Sequence, residues 1–153
     1  MLTENDKTYL KALYLLNAHH TPIGPSTLAH NTHITKEAAY QQLRRLQNLG
    51  YGDYQPRKGL LLNTTALSTI KDDIHRHHLI KHFLQHSLNL SAQEACQHSY
   101  HLQAHICKPL LEAIKKNIGT TTCSTCGEHL SPTQPDHLNT CHYLTNNKRR
   151  KTQ

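Results

Sequence analysis

Imidazole and thiolate side chains crowd one stretch of this chain. Eight of its fifteen histidines and two of its five cysteines lie between His75 and Cys107. Both groups are ordinary protein ligands for late first-row divalent metals, so their density points to metal chemistry. Spacing sorts them. His77 falls on the apolar stripe Leu67, Ile70, Ile74, His77, Ile80, Leu84, where a histidine is either a hydrogen-bonded core residue or a ligand. Cys96 alone reads as a small buried hydrophobe or a ligand. His98, His101 and His105 share one helical face with Glu94, and read either as chelating pairs or as an exposed stripe. His75, His78, His82 and His86 form another stripe, expected to be solvated unless a partner subunit covers it. Further on, Cys123-Ser-Thr-Cys126 and Cys141-His142 have the ligand types of a second candidate metal site, structural zinc. The competing reading there is a tail whose thiols bind nothing.

No enzyme is visible in the same inventory. There is no glycine-rich phosphate loop, nucleophile elbow or HExxH, and only ten residues are acidic. With 153 residues the chain holds one ordinary domain or two small ones sharing a core. A net charge of +7 favours a polyanionic partner. No apolar run reaches the ~18 residues of a membrane span, and MLTENDKTYL is not a signal peptide. A cytoplasmic protein with reduced thiols is the resulting expectation, with no membrane partner. The core has no Trp and one Phe, and so rests on aliphatics and tyrosine; such a core often needs a partner subunit.

The elements that must position these residues follow from caps and periodicity. Thr3-x-x-Asp6 starts a helix carrying Tyr9, Leu10, Leu13 and Leu16. Ser26 is expected to cap a short helix through Ala29, with a turn at Asn31-Thr32-His33. Thr35 caps a second helix to about Leu49, ended by Gly50. Residues 51–55 and 60–62 read as strands about the turn Pro56-Arg57-Lys58-Gly59. Asn63 or Thr64 opens a long helix to about His86; Ser91-Ala92-Gln93-Glu94 caps another to about Ile106; Lys108-Pro109 begins a third, ended by Gly119.

The fold expected is mainly α: an N-terminal winged helix-turn-helix with a small β-hairpin wing, then a helical dimerisation and metal-binding domain. The boundaries are 1–63 for the DNA-binding domain, 64–119 for the helical domain, and 120–153 for a polar, cysteine-containing tail. On the second helix, Lys36, Glu37, Tyr40, Gln41, Arg44 and Arg45 point outward, and Arg57 and Lys58 sit at the wing tip. Residues early on such a helix approach base edges, whereas later ones and the wing suit phosphates. Gln41 suits adenine, and Arg44 suits guanine or phosphate.

TYLKALYLL at 8–16, ITKEAAYQQLRRLQNLGYGDYQPRKGLLLN at 34–63, RHHLIKHFL at 76–84, EAC at 94–96 and the later CSTCGEHLSP occur in a telling order. In these the chain resembles the diphtheria-toxin-repressor family over about residues 6 to 127, specifically its short manganese-responsive, MntR-like branch. The resemblance implies a homodimeric repressor of metal uptake or homeostasis whose metal-loaded form binds a palindromic double-stranded operator. It implies Mn²⁺ or Fe²⁺ as the divalent cofactor, and a dimer built from the helices after the wing. It also assigns ligands. His77 matches the long-helix ligand, and Cys96 the first position of a Glu/Cys-x-x-Glu-His motif. Ser99 and Tyr100 stand where Glu and His belong, and Thr8 and Lys11 match the first-helix ligand positions. A shifted register instead brings in His98 and His101, so the candidate set is His77, Cys96, His98 and His101. Nitrogen and sulfur donors without carboxylate favour Zn²⁺, Fe²⁺ or Co²⁺ over Mn²⁺. The alternative is a degenerate member without metal sensing: a constitutive DNA-binding protein or a winged-helix interaction adaptor.

Overall fold

A computed structural model describes residues 1–119, which fall into two compact units, Met1–Ile70 and residues 71–119. The first opens with α1 (Glu4–Leu15), begun by the expected capping box: Thr3 Oγ1 accepts from Asp6 N, and Asp6 accepts from Thr3 N. Its buried face carries Tyr9, Leu10, Leu13 and Tyr14. Helix α2 (Pro25–Thr32) differs from the sequence expectation. Gly24 rather than Ser26 is its N-cap, because Pro25, lacking an N–H and fixed in φ, suits the first turn. It also runs through Thr32, and His33 turns the chain in the left-handed region. Thr35 then caps α3 (Lys36–Asn48), whose Ala39, Leu43 and Leu46 are buried.

Two short strands follow, β1 (Gly52–Gln55) and β2 (Gly59–Leu62), paired antiparallel with Gly52 opposite Leu62 and Gln55 opposite Gly59. Ile23 adds a bridge to Leu60 and ties the α1–α2 connector to the hairpin. This bridge explains Gly59. Its φ is +119°, and a Cβ there would lie 2.1 Å from the Ile23 carbonyl oxygen. The first unit's core is Leu10, Leu13, Leu28, Leu43, Leu46 and Leu60, all fully buried. Helix pair, turn and hairpin make a winged helix-turn-helix.

Asn63 caps α4 (Thr64–Leu88), accepting from Ala66 N at 3.0 Å and donating to Gly50 O at 2.9 Å. The apolar stripe of α4 is largely as expected, though Ala66 rather than Leu67 takes the buried place in its first turn. In the second unit, α5 (Ala92–Leu102) starts at the Ser91–Glu94 capping box and α6 (Lys108–Ile118) ends at Gly119. Helix α5 stops a turn earlier than its periodicity suggests. The chain closes there in tight turns, His105 N and Ile106 N both bonding to Leu102 O, before Cys107 leads into α6. The Arg76 guanidinium holds that turn by donating to Ile106 O.

α4 is covered on two sides within this unit. Leu79 packs against Leu111 and Ile118, while Ile80 and Leu84 pack with Ala95, Phe83, Leu90 and Ile106. The histidine stripe expected to be solvated is not: His78 and His82 are buried, His75 is half-buried, and His86 at the end of α4 is exposed. No helix of the described residues is long and apolar enough to cross a membrane.

Candidate nucleic-acid interface and metal pair

α3 presents a basic and aromatic face. Lys36, Glu37, Tyr40 and Gln41 are exposed on its first two turns and, with Pro25, line a groove of about 310 Å³. A helix in this position, with a groove along its leading edge, can enter a DNA major groove and bring Gln41 to base edges. Arg57 and Lys58 are exposed at the turn between β1 and β2, where Arg57 takes a positive φ of 64° and Lys58 N donates to Gln55 O. Exposed cations at a hairpin tip suit phosphate oxygens.

The two central arginines of α3 have different surroundings. Arg44 is half-buried; its Nη1 donates to Gln47 Oε1 at 2.8 Å and its guanidinium lies 5.4 Å from the centre of the Tyr54 ring. Arg45 instead forms a fork on Asp6, with Nε to Oδ1 at 2.9 Å and Nη2 to Oδ2 at 3.0 Å. Gln42 Nε2 reaches the same carboxylate at 2.8 Å, and Thr3 donates to it from both its backbone N–H and its hydroxyl. Asp6 is 1% exposed, so this saturated carboxylate pins the start of α1 to the recognition helix. The Arg45 guanidinium, chiefly, holds the Asp6 carboxyl well below the usual carboxylate range, with Thr3 and Gln42 acting in the same direction.

In the second unit His77 and Cys96 meet. Cys96 Sγ lies 3.4 Å from His77 Nε2, and both side chains are buried. Gln103 Oε1, also buried, lies 3.2 Å from His77 Nδ1. With the amide oxygen as acceptor, Nδ1 carries the proton and Nε2 keeps its lone pair toward the sulfur. One nitrogen and one sulfur donor thus converge, with the imidazole oriented from behind, as a metal-ligating histidine usually is. The donor set fits a thiophilic divalent metal in part: it supplies two ligands.

The other sequence candidates lie elsewhere. Ala95, Cys96 and Ser99 form the buried face of α5, continued by its buried C-cap Gln103, whereas His98 and His101 are exposed and do not join His77. In the first register of the motif, Ser99 at the Glu position is buried and Tyr100 at the His position is half-buried. Thr8 donates its hydroxyl to Glu4 O, and Lys11 is buried. Among the described residues, no group of three or more His, Cys, Asp or Glu side chains is arranged to hold a metal ion. Cys123, Cys126, Cys141 and His142 lie outside the described residues.

Three residues of these arrangements went unseen in the sequence: Asp6 beyond its capping role, Tyr54 and Gln103. Gln103 had a signal, since 96, 99 and 103 follow helical spacing. Asp6 and Tyr54 act across elements, where local patterns are silent.

Fold and surface define a winged helix-turn-helix DNA-binding protein. Residues 1–60 match the sequence model of the iron dependent repressor N-terminal DNA binding domain. Over that stretch the chain is similar to the DNA-binding domain of iron-dependent repressors. An HTH-type transcriptional regulator of Methanocaldococcus jannaschii is 27% identical over 115 residues, covering 74% of this chain and 92% of that protein. Among solved structures, a protein from Sulfolobus solfataricus superposes with a TM-score of 0.74 at 17% identity, covering 85% of this chain and 99% of that one. The regulator ScaR, solved with bound Zn²⁺, superposes at 0.68 and 22% identity, covering 84% of this chain and 64% of ScaR. At these identities the superpositions speak for the fold. The chain spans under two thirds of the length of ScaR, and all of the Sulfolobus chain but 1% is covered.

Proposed function

We propose that this chain is a homodimeric, metal-responsive transcriptional regulator, a repressor of genes for metal uptake or homeostasis. The observation that carries the reading is the iron-dependent-repressor reading head followed by a helical unit that buries a facing imidazole and thiol. The winged helix binds a palindromic double-stranded operator, with Lys36, Glu37, Tyr40 and Gln41 toward bases and Arg44, Arg57 and Lys58 toward backbone. The domain limits 1–63 and 64–119 serve reading and sensing, and a chromosomal target places the protein in the cytoplasm. The activity is regulation, and no catalytic step belongs to it.

A divalent transition metal is the effector. Relatives of the same fold include a manganese regulator, SloR, and ScaR with bound Zn²⁺ or Cd²⁺. In this chain His77 and Cys96 would hold the ion, and their nitrogen and sulfur favour Zn²⁺, Fe²⁺ or Co²⁺ over Mn²⁺. What the metal supplies is a differential affinity for one arrangement of the protein, the only means by which an effector shifts an equilibrium. Duplex binding by the full chain should therefore rise on adding metal and fall with a chelator. Binding indifferent to chelator would identify a constitutive DNA-binding protein instead, and no binding in either state an adaptor.

Dimerisation draws support from apolar surface. Leu88, Leu102 and Leu110, all of the helices after the wing, are 59%, 41% and 50% exposed. Light scattering at micromolar concentration with metal present should give twice the mass of the chain. A mass of 17.5 kDa would refute the dimer.

A further inference from the structure

Arg44 and Arg45 are neighbours in sequence but differ in what faces their charge. Arg45 lies on a carboxylate, Asp6, which compensates it. Arg44 lies on an aromatic face, that of Tyr54, which orders a cation without neutralising it. Tyr54 is half-buried on β1 and is itself wedged: the Tyr40 ring meets it edge to face, centroids 5.8 Å apart and planes at 87°. The bond from Arg44 Nη1 to Gln47 Oε1 fixes the far end of the side chain. A long, flexible arginine is thereby held in one conformation before any ligand arrives, with Nε and Nη2 left to donate. Its position is the third turn of α3, beside the wing, where side chains reach backbone rather than bases.

We propose that Tyr54 is a positioning residue which, with Gln47, presets Arg44 as a phosphate clamp on the wing side of the recognition helix, while Arg45 is not a DNA contact. The proposal rests on the DNA-binding reading above and divides labour within it. A preset side chain loses less freedom on binding, so the clamp raises affinity on every sequence. The chemistry recognised is the anionic phosphodiester, common to all duplexes.

The test uses the metal-supplemented full chain and fluorescence anisotropy over a KCl series. The probes are a random-sequence duplex and a duplex selected from a random library by the wild-type protein. Arg44→Ala should reduce the slope of log K against log salt by about 1 on both duplexes, as loss of one phosphate contact does. Arg45→Ala should leave the slope unchanged. Tyr54→Ala keeps every charge, so it should leave the slope intact yet weaken binding about threefold to fivefold at each salt concentration. Tyr54→Phe keeps the ring face and should bind as the wild type does. Tyr54→Leu, which keeps apolar volume without the π face, should match the alanine variant; adding Tyr54→Ala to Arg44→Ala should cost nothing more. Multiplying losses in the double variant, or Tyr54→Phe as weak as Tyr54→Ala, would overturn the positioning role. An Arg44→Ala loss confined to the selected duplex would make Arg44 a base reader and overturn the clamp. A slope lowered by Arg45→Ala would overturn the division of labour. A wild-type chain that binds neither duplex would refute the DNA-binding reading itself, and the clamp with it.

Discussion

Replacing Asp6 with alanine should lower the stability of the first unit by about 2–3 kcal/mol, the scale of losing charge-assisted hydrogen bonds at a buried carboxylate. Five donors converge on it: the backbone N–H and hydroxyl of Thr3, Gln42 Nε2, and Nε and Nη2 of Arg45. The ceiling is moderate because Arg45 is 46% exposed and regains water when its partner goes. The capping box goes too, since Asp6 is its N3 residue. Asp6→Asn keeps an acceptor and should cost less. Urea unfolding followed by circular dichroism reads both, and a midpoint unchanged in Asp6→Ala would sink the claim. Acid gives a second reading. The Asp6 carboxyl is held below its ordinary value of 3.8, so its contribution is complete above that pH. It is lost as pH falls from there through the depressed folded value, where the folded state must finally take up the proton. Arg45→Ala removes the largest cause of the depression and should shift acid unfolding to higher pH. The pin matters for function because it fixes the helix that reads DNA against the helix before it.

Which parts of this were legible in the sequence follows from the range of the forces involved. Caps are local: Thr3, Thr35, Asn63 and Ser91 each bond within three residues, so residue type and spacing reveal them. Helix α2 starts earlier than residue type suggests because Ser26 and Pro25 compete for the same start, and proline's fixed φ prevails over a side-chain cap. The hairpin was plain from its turn, but the bridge from Ile23 that makes Gly59 obligatory is a contact 37 residues distant. His78 and His82 looked like surface because a helical stripe of polar residues normally is surface. Yet both are buried, and burial depends on what packs against α4, which the periodicity of α4 alone cannot show. His77 and Cys96 were paired by resemblance; what the structure adds is Gln103 behind the imidazole and the outward turn of His98 and His101. Arg45 illustrates the same limit from the other side. Its charge suits DNA, and only the fold shows that Asp6, 39 residues earlier, has already engaged it.

Removing Cys96 should abolish the thiolate signature of a bound metal probe. Titrated with Co²⁺, the full chain should show a sulfur-to-cobalt charge-transfer absorption, because Cys96 Sγ and His77 Nε2 converge from α5 and α4. In Cys96→Ser the band should vanish. His77→Ala should weaken binding at least as much as loss of an orienting partner does, which is about 10- to 100-fold. Gln103→Ala tests that partner itself. It removes no ligand, yet by freeing the imidazole it should cost affinity on the same scale while leaving the band's position unchanged. Binding should also weaken toward acid pH, since thiol and imidazole must both be deprotonated to ligate and protons compete with the metal. Zn²⁺ should displace Co²⁺ readily and Mn²⁺ poorly, a manganese site requiring the carboxylate oxygens that this pair lacks. A band that survives Cys96→Ser but disappears on replacing Cys123 or Cys126 would move the metal to the tail. Tight Mn²⁺ binding that persists in His77→Ala would defeat the assignment outright, because no donor of the pair could then account for it.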